Sequence, residues 1–356
     1  MQALVLVLDG FPARHLARGA GRGLGALADS GGWAADGGRA VMTSSSAPNL
    51  ATFATGATPN RHGIPAGRVP VGRDTVPAED KGPGLPTIFH AVAGAGRSSA
   101  VVVGERRIAG ILGAARAEVV GPDAAPQGDC LRHAEAVDEA VTVALERLLE
   151  STPPDLVVGH LSLPEVAARV LGPDGDDAAA CYRATDDRVA RICAAAASRW
   201  RDEVVIVVSD HDQEAVDAQR APVDLEAHVA AHDLPLTVVS EGGAALLLGP
   251  DRQQGRWLAE VAGVAGAIEL SDEVRLVWAR PGRVLARADG PLPRSVHGGP
   301  GTTTQLAVVG GGHPAAARIA ASLRRRAPNA ADWAVTVADL LDVPLPTATG
   351  RSLLVS

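Results

Sequence analysis

Near the amino terminus, residues 3–10 read ALVLVLDG, six consecutive apolar residues followed by Asp9 and Gly10. A short continuous apolar run is typical of a strand that is buried on both faces, as in a parallel sheet. Ligands bind outside the carboxyl ends of the strands in such a sheet. Asp9 is therefore a candidate metal ligand, and an ordinary Asp-Gly turn is the alternative interpretation.

The same kind of apolar run recurs along the chain, with helical patterns between the runs. This alternation predicts an α/β fold with a doubly wound, mostly parallel sheet flanked by helices. The predicted strands cover residues 99–103, 156–159, 204–208 and 306–309, and the predicted helices cover residues 129–149, 176–200, 315–326 and 331–341.

The spacing of the segments changes between residues 216 and 294, where turn signals separate shorter apolar runs. We predict a small inserted α+β subdomain over residues 216–294 and a larger core made of residues 1–215 and 295–356. The Pro- and Gly-rich stretch 63–86 predicts a long surface loop. Within the insertion we expect strands over 236–239, 244–248, 274–279 and 283–286, and a helix over 256–264.

Composition and charge exclude several classes of partner. The chain has 356 residues and a formal net charge of −8, which argues against the clustered basic surface of a protein that binds a nucleic-acid polymer. No apolar run reaches the roughly 18 residues of a membrane span, so we expect no membrane partner. No secretory signal is recognisable and the three cysteines are scattered, so we expect a cytoplasmic protein. The oligomeric state stays open.

A second acidic strand end follows the apolar run 204–208, where Asp210 and His211 are adjacent. They offer one oxygen and one imidazole ligand side by side, which suits Zn²⁺ or Mn²⁺. A surface turn with a chance histidine is the alternative. Two strands that end in an acid within one chain favour the metal-site interpretation for both.

Ser46 precedes Pro48, which can occupy the first turn of a helix. The free N–H groups and the dipole at a helix N-terminus favour an anion beside such a serine. A serine there can act as a nucleophile if a metal lowers its pKa. The alternative is a helix-capping serine in a Ser-rich loop.

Residues 46–49 read SAPN, residues 54–56 ATG and residues 59–64 PNRHGI. This segment resembles the nucleophile segment of the nucleotide pyrophosphatase/phosphodiesterase family of the alkaline phosphatase superfamily, roughly T-x-P-N … TG … P-x-x-H-G-I. Other elements also resemble that family and occur in the same order along the chain. They are Asp9, the pair Asp210-His211, the late VHGGP of residues 296–300 and the carboxyl-terminal residues 338–353. The resemblance therefore extends over nearly the whole chain and identifies the larger predicted unit as an alkaline-phosphatase-like catalytic core.

The resemblance implies roles for the matching residues. Ser46 would be the nucleophile, and Asn49 would donate a hydrogen bond to a non-bridging phosphoryl oxygen. One metal ion would be held by Asp9, Asp210, His211 and the Ser46 oxygen. The expected partner is a small anionic phosphate- or sulfate-ester substrate.

One stretch departs from the family pattern. Family members hold a second metal with a motif resembling P-D-x-x-G-H-x-x-G-P and a late histidine, but residues 164–173 read PEVAARVLGP. Glu165 can replace the aspartate, whereas Arg169 cannot replace the histidine because a guanidinium has no lone pair to offer. Glu165 and His297 would then be the remaining ligands, so we expect one tightly bound Zn or Mn ion rather than two. Arg169 would bind a substrate oxygen, or else pair with Glu165 one helical turn away.

The leading functional prediction is a metal-dependent phosphoric-ester hydrolase or phosphoryl transferase that acts on a phosphodiester or a nucleotide-type ester through a covalent Ser46 intermediate. A one-metal hydrolase or transferase of sulfuryl or sulfamoyl esters is an alternative. A non-catalytic binding protein that kept the fold is another. His160 and the pair Arg106-Arg107 also follow predicted strands, and they are secondary candidates for contact with the substrate.

Overall fold

The computed structural model describes most of the chain. The described residues are 1–17, 21–71, 74–114, 117–121, 130–151, 153–200, 202–249, 258 and 261–355. In chain order the strands are β1 Gln2–Leu8, β2 Gly32–Trp33, β3 Gly38–Arg39, β4 Arg68–Val71, β5 Asp74–Pro77, β6 Ser99–Val103, β7 Ala117–Val119, β8 Leu156–Leu161, β9 Glu203–Val208, β10 Glu214–Ala215, β11 Thr237–Ser240, β12 Ala244–Leu248, β13 Val264–Glu269, β14 Val274–Ala279, β15 Ser295–Val296, β16 Thr304–Gln305 and β17 Ala307–Gly310.

Helices connect and cover these strands. In chain order they are α1 Ala13–Ala17, α2 Leu24–Ser30, α3 Ser46–Thr55, α4 Pro59–His62, α5 Ala78–Lys81, α6 Ile88–Gly94, α7 Arg106–Leu112, α8 Cys130–Glu150, α9 Leu163–Leu171, α10 Asp176–Arg199, α11 Leu225–Ala231, α12 Pro314–Leu323 and α13 Ala330–Leu341. Among the described residues, no helix is both long and apolar enough to cross a membrane.

The central sheet has seven strands in the order β2-β17-β9-β1-β8-β6-β7. The pairs β9-β1, β1-β8, β8-β6 and β6-β7 are parallel, whereas β17 runs antiparallel to both of its neighbours. The predicted α/β fold with a mostly parallel sheet is therefore confirmed.

Both faces of the sheet are buried, which explains why its strands read as continuous apolar runs. Along β1, Ala3, Val5 and Val7 belong to one apolar core, which also contains residues of α3, α6, α7, α12 and α13. Leu4, Leu6 and Leu8 belong to a second core on the other face, with residues of α2, α8 and α10. Alternate side chains of a strand point to opposite faces, so one uninterrupted run supplies both cores.

Outside the central sheet lies a four-stranded antiparallel sheet in the order β11-β12-β14-β13. Residues 283–286 were expected to form a strand, but Leu285 makes only isolated bridges, to Val223 and Gly242. The expected helix over 256–264 lies mostly outside the described residues, and β13 begins at Val264. The boundaries of the inserted subdomain stay a prediction.

The stretch 63–86 is more ordered than the predicted loop. Strands β4 and β5 pair as an antiparallel hairpin, and the short helix α5 follows directly. The Val69 side chain is buried in the core formed with α3 and α7. This apolar contact explains why a Pro- and Gly-rich stretch adopts regular structure at this position.

Candidate active site

Three potential metal ligands meet at the carboxyl ends of neighbouring strands. Asp9 follows β1 and the pair Asp210-His211 follows β9, and β1 and β9 are parallel neighbours. One ligand atom from each of the three residues lies within 4.8 Å of the others, and all three side chains are buried. The sequence predicted these three ligands, and the structure brings them together.

The backbone orients the carboxylate of Asp210. Its Oδ1 accepts hydrogen bonds from the backbone N–H groups of Gly10 and His211, both at 3.0 Å. Its Oδ2 is buried and has no hydrogen-bond partner among the described residues. A buried carboxylate oxygen without a partner is unfavourable, so this atom fits a bound cation. Gly10 has φ +61, a conformation that favours glycine, which fits the glycine directly after Asp9.

One hydrogen bond sets the tautomer of His211. Its Nδ1 lies 3.0 Å from the backbone oxygen of Asp212. Because a carbonyl oxygen only accepts, Nδ1 carries the proton, and the lone pair of Nε2 faces the cluster. Nε2 lies 3.5 Å from Asp9 Oδ1 and 3.5 Å from Asp210 Oδ2. The donor set of two carboxylates and one imidazole fits a divalent ion.

Ser46 is the first residue of α3, a helix whose residues are all buried. Its Oγ donates to Asp9 Oδ1 at 3.2 Å and lies 3.3 Å from His211 Nε2. The predicted nucleophile therefore adjoins the predicted ligand set. Its hydroxyl also borders a cavity of about 430 Å³.

The Asn49 side chain contacts the loop before α3. Its Oδ1 accepts from the Val41 backbone N–H at 2.8 Å, and its Nδ2 faces the backbone oxygens of Val41, Thr43 and Ser45 at 2.9–3.3 Å. In this arrangement the amide holds the turn that carries Ser46. Its role as a hydrogen-bond donor to a phosphoryl oxygen stays a prediction.

The charges of the cluster act on one another. Burial by itself would raise the pKa of Asp9, but His160 and His211 outweigh it and hold that pKa well below its usual range. Burial and the nearby Asp9 carboxylate raise the pKa of Asp210. His160 Nε2 lies 3.3 Å from Asp9 Oδ2, and among the described residues it has no partner in hydrogen-bond geometry. Two acids that compete for positive charge in a buried site favour a cation between them.

The second set of predicted ligands meets differently. Glu165 and Arg169 lie one turn apart on α9, and the Arg169 guanidinium contacts the Glu165 carboxylate. His297 Nε2 is 3.6 Å from Glu165 Oε1, and its ring lies against that of His211, with centroids 4.3 Å apart and planes tilted by 32°. Within the described part of the chain, the set Asp9, Asp210 and His211 is the only one of three or more such residues close enough for a metal. The guanidinium therefore pairs with Glu165 while it also lines the cavity.

Three residues that line the cavity lie outside the predicted site motifs. Arg107, at the start of α7, was only a secondary candidate, and its positive charge acts on Asp9 and Glu165. Glu241 accepts a hydrogen bond from the Gly67 backbone N–H at 2.8 Å. Gln213 is buried two residues after His211. Its position close to the Asp-His pair was the one sequence signal that could have indicated it.

Comparison with known proteins identifies the family of the chain. The model of the family "Type I phosphodiesterase / nucleotide pyrophosphatase" matches residues 3–273. Murine ectonucleotide pyrophosphatase/phosphodiesterase 5 has a similar structure, with 17% identity and a TM-score of 0.76 over 99% of this chain and 98% of that one.

A second solved structure, phosphonoacetate hydrolase from Sinorhizobium meliloti 1021 in complex with phosphonoacetate, has 18% identity and a TM-score of 0.69. The structural match covers 87% of this chain and 89% of the hydrolase chain. Comparison with curated protein sequences found no match. At these identities the structural likeness concerns the fold, whereas the family match extends over most of the chain. The chain belongs to the type I phosphodiesterase/nucleotide pyrophosphatase family, whose members are hydrolytic enzymes of the alkaline phosphatase superfamily.

Proposed function

We propose that this protein hydrolyses small phosphoric esters, of the phosphodiester or nucleotide type, through a covalent intermediate on Ser46. The observation that carries the proposal is the position of the Ser46 hydroxyl. Its Oγ lies within 3.5 Å of Asp9 and His211 and opens onto the cavity. An N-capping serine alone would not require two buried potential metal ligands beside its hydroxyl.

Asp9, Asp210 and His211 would hold one divalent ion, Zn or Mn, and the Ser46 oxygen would complete the set. Such an ion would lower the pKa of the serine hydroxyl and neutralise charge on the transferring group. The backbone N–H groups of Gly10 and His211 keep Asp210 Oδ2 directed into the cluster, so the ligands are oriented before an ion binds.

The reaction proceeds in two displacements at phosphorus. In the first, a bond forms between Ser46 Oγ and phosphorus while the bond to the leaving oxygen breaks; the serine proton passes to solvent, and the leaving oxygen takes up a proton from solvent. In the second, a water oxygen bonds to phosphorus while the bond between phosphorus and Ser46 Oγ breaks, which releases the phosphorylated product and, after proton exchange with solvent, restores the serine hydroxyl. Asp9 accepts the serine hydrogen bond at 3.2 Å and so fixes the attacking oxygen.

Two arginines contribute positive charge to the cavity wall. Arg107 and Arg169 both line the cavity beside Ser46. Guanidinium groups bind phosphate oxygens through two parallel N–H donors, which gives geometric selectivity for a tetrahedral anion. The relatives solved with AMP and with phosphonoacetate bind small anions of this class, which supports a small substrate here as well.

The test combines metal analysis with a substrate panel. Purified protein would be assayed with p-nitrophenyl phosphate, bis-p-nitrophenyl phosphate and p-nitrophenyl sulfate, before and after chelation. We expect turnover of a phosphate ester that chelation removes and Zn²⁺ or Mn²⁺ restores. Ser46→Ala should abolish turnover and leave the fold intact, whereas Ser45→Ala serves as the neighbouring serine control. Turnover by Ser46→Ala near the wild-type rate would reject the nucleophile.

A further inference from the structure

We propose that Gln213 is a further catalytic residue, whose side-chain amide donates a hydrogen bond to a non-bridging oxygen of the transferring phosphoryl group. The proposal rests on the phosphoric-ester hydrolysis proposed above. It assigns a role to a residue that lies outside the motifs of the sequence.

The amide of Gln213 is held in one orientation. The residue is 4% exposed and lines the same cavity as Ser46. Its Oε1 accepts a hydrogen bond from Ser295 Oγ at 3.0 Å, and Ser295 is itself buried. Its Nε2 is buried and has no hydrogen-bond partner among the described residues. Because one end of the amide is paired and the other is not, the unpaired donor keeps a defined direction.

The backbone beside Asp9 leaves room for this donor. A Cβ atom at Gly10 would lie 3.1 Å from Gln213 Nε2, closer than ordinary side-chain contacts allow. The glycine after Asp9 therefore lets the amide lie directly against the turn that follows β1. Asp9, which precedes Gly10, accepts the hydrogen bond of Ser46, so the amide lies against the same turn that positions the serine hydroxyl.

The neutral donor that the sequence suggested, Asn49, contacts backbone groups in this structure. The Asn49 amide is occupied by backbone groups of residues 41–45, and the Arg169 guanidinium contacts Glu165. A buried donor without a partner is rare in folded proteins and is satisfied when a ligand binds. Donors fixed before the reaction and directed at developing negative charge are a large contribution to catalysis of group transfer. Gln213 has the properties that this contribution requires.

The experiment compares two substitutions with a matched control. Gln213→Met keeps the length of the side chain and removes the donor, and Gln213→Glu keeps the shape but adds an acceptor with negative charge. Gln219→Met, at an exposed position of the loop after β10, is the control. We expect kcat for the best phosphate ester to fall about 100-fold in Gln213→Met and further in Gln213→Glu. KM and ion content should stay close to wild type, as should the kcat of Gln219→Met.

The affinities for a transition-state analogue and a product analogue distinguish a catalytic role of Gln213 from a merely structural one, because a structural role would not change their ratio. Orthovanadate, which adopts a five-coordinate geometry, should bind Gln213→Met about 100-fold more weakly than wild type, whereas inorganic phosphate should lose much less. If the wild-type protein hydrolyses no ester in the panel, the proposed function fails, and the orthovanadate comparison still decides the role of Gln213.

One set of results would overturn the proposal. Gln213 is rejected as a donor if the folded, metal-loaded Gln213→Met variant keeps the wild-type kcat. Where no ester is turned over, an unchanged affinity for orthovanadate in this variant rejects it. If circular dichroism shows that Gln213→Met is unfolded, Ser295→Ala replaces it, since that variant keeps the glutamine but releases its Oε1. We expect about a tenfold loss of kcat or orthovanadate affinity in Ser295→Ala, and no loss would reject the proposal equally.

Discussion

Replacing Asp210 by asparagine should separate the metal-binding role of this residue from its structural role. The side-chain oxygen of Asp210→Asn can still accept the backbone N–H groups of Gly10 and His211 that now reach Oδ1. The new NH₂ group takes the position of Oδ2, the buried atom without a partner, and it offers no ligand to a cation. We therefore expect a folded protein with a defective metal site.

The charges predict opposite effects with and without metal. The ligand atoms of Asp9 and Asp210 lie within 4.8 Å of each other, so two negative charges there repel by at least about 3.5 kcal/mol at an effective dielectric constant of about 20. Metal-free Asp210→Asn should then be at least as stable as metal-free wild type. An ion at 100 times its Kd stabilises the wild-type protein by about 2.7 kcal/mol, a rise in Tm of about 5 °C for a chain of this size.

Asp210→Asn should lose most of the rise in Tm that the ion causes in the wild-type protein. Residues that only support metal ligands already contribute about 10–100-fold to affinity, so loss of a ligand should weaken binding at least about 100-fold. The same ion concentration then equals the Kd of the variant, and the rise in Tm falls to about 1 °C.

The assay is thermal unfolding at pH 7.5 with chelator and with Zn²⁺ or Mn²⁺, together with metal analysis. Asp36→Asn, which removes one exposed carboxylate elsewhere on the surface, is the charge control. A rise of about 5 °C in Asp210→Asn, equal to that of wild type and of Asp36→Asn, would refute the ligand set.

Three further predictions concern the residues around the site. Arg169→Ala should lower kcat/KM by about 10–100-fold while elemental analysis still finds one ion per chain, because the guanidinium binds substrate and not metal. Arg169→His should reveal by the same analysis whether Glu165 and His297 take up a second ion, and two ions in the wild-type protein would contradict the one-ion prediction. Asn49→Ala should lose about 3 kcal/mol of unfolding free energy in urea, since it leaves buried backbone groups unpaired; unchanged stability with reduced kcat would return Asn49 to direct contact with substrate. Burial lowers the pKa of His62 to about 4, so the folded protein resists its protonation, and this contribution to stability is present above pH 6.5 and lost as the pH falls towards 4. Between pH 7 and 4.5 the loss should be about 2.5 kcal/mol larger in wild type than in His62→Gln, and equal losses in both proteins would exclude His62 as a contributor.

The sequence predicted those parts of the site that depend on local pattern. A continuous apolar run predicts a strand buried on both faces, and the residue after the run then lies at the carboxyl edge of the sheet. Asp9 and the pair Asp210-His211 follow such runs, and the parallel pairing of β1 with β9 brings them together. The positions of these ligands therefore required only the strand pattern and the rule for parallel sheets.

Other parts depend on how distant segments approach one another. Whether Asn49 faces the substrate or the backbone depends on the path of residues 41–45, which carry no periodic pattern. Glu241 reaches the cavity because its carboxylate accepts from Gly67, which is 174 positions away along the chain. Such contacts follow from tertiary packing, so neither the spacing nor the type of residues in the sequence predicts them.

The balance of charge in the cavity is compatible with the proposed single ion beside two arginines. Four carboxylates, those of Asp9, Glu165, Asp210 and Glu241, lie in or beside the cavity that Arg107 and Arg169 line. The four carboxylates outnumber the two guanidinium groups by two, which disfavours entry of a phosphate ester into the metal-free cavity. One divalent ion would offset these two charges, and the two guanidinium groups would still line the cavity that the anion enters. A second divalent ion at Glu165 and His297 would have to displace the guanidinium that contacts Glu165, and the repulsion between the two cations opposes it. On the one-ion prediction, Arg169 is a fixed organic cation at the position where the family motif has a metal-binding histidine.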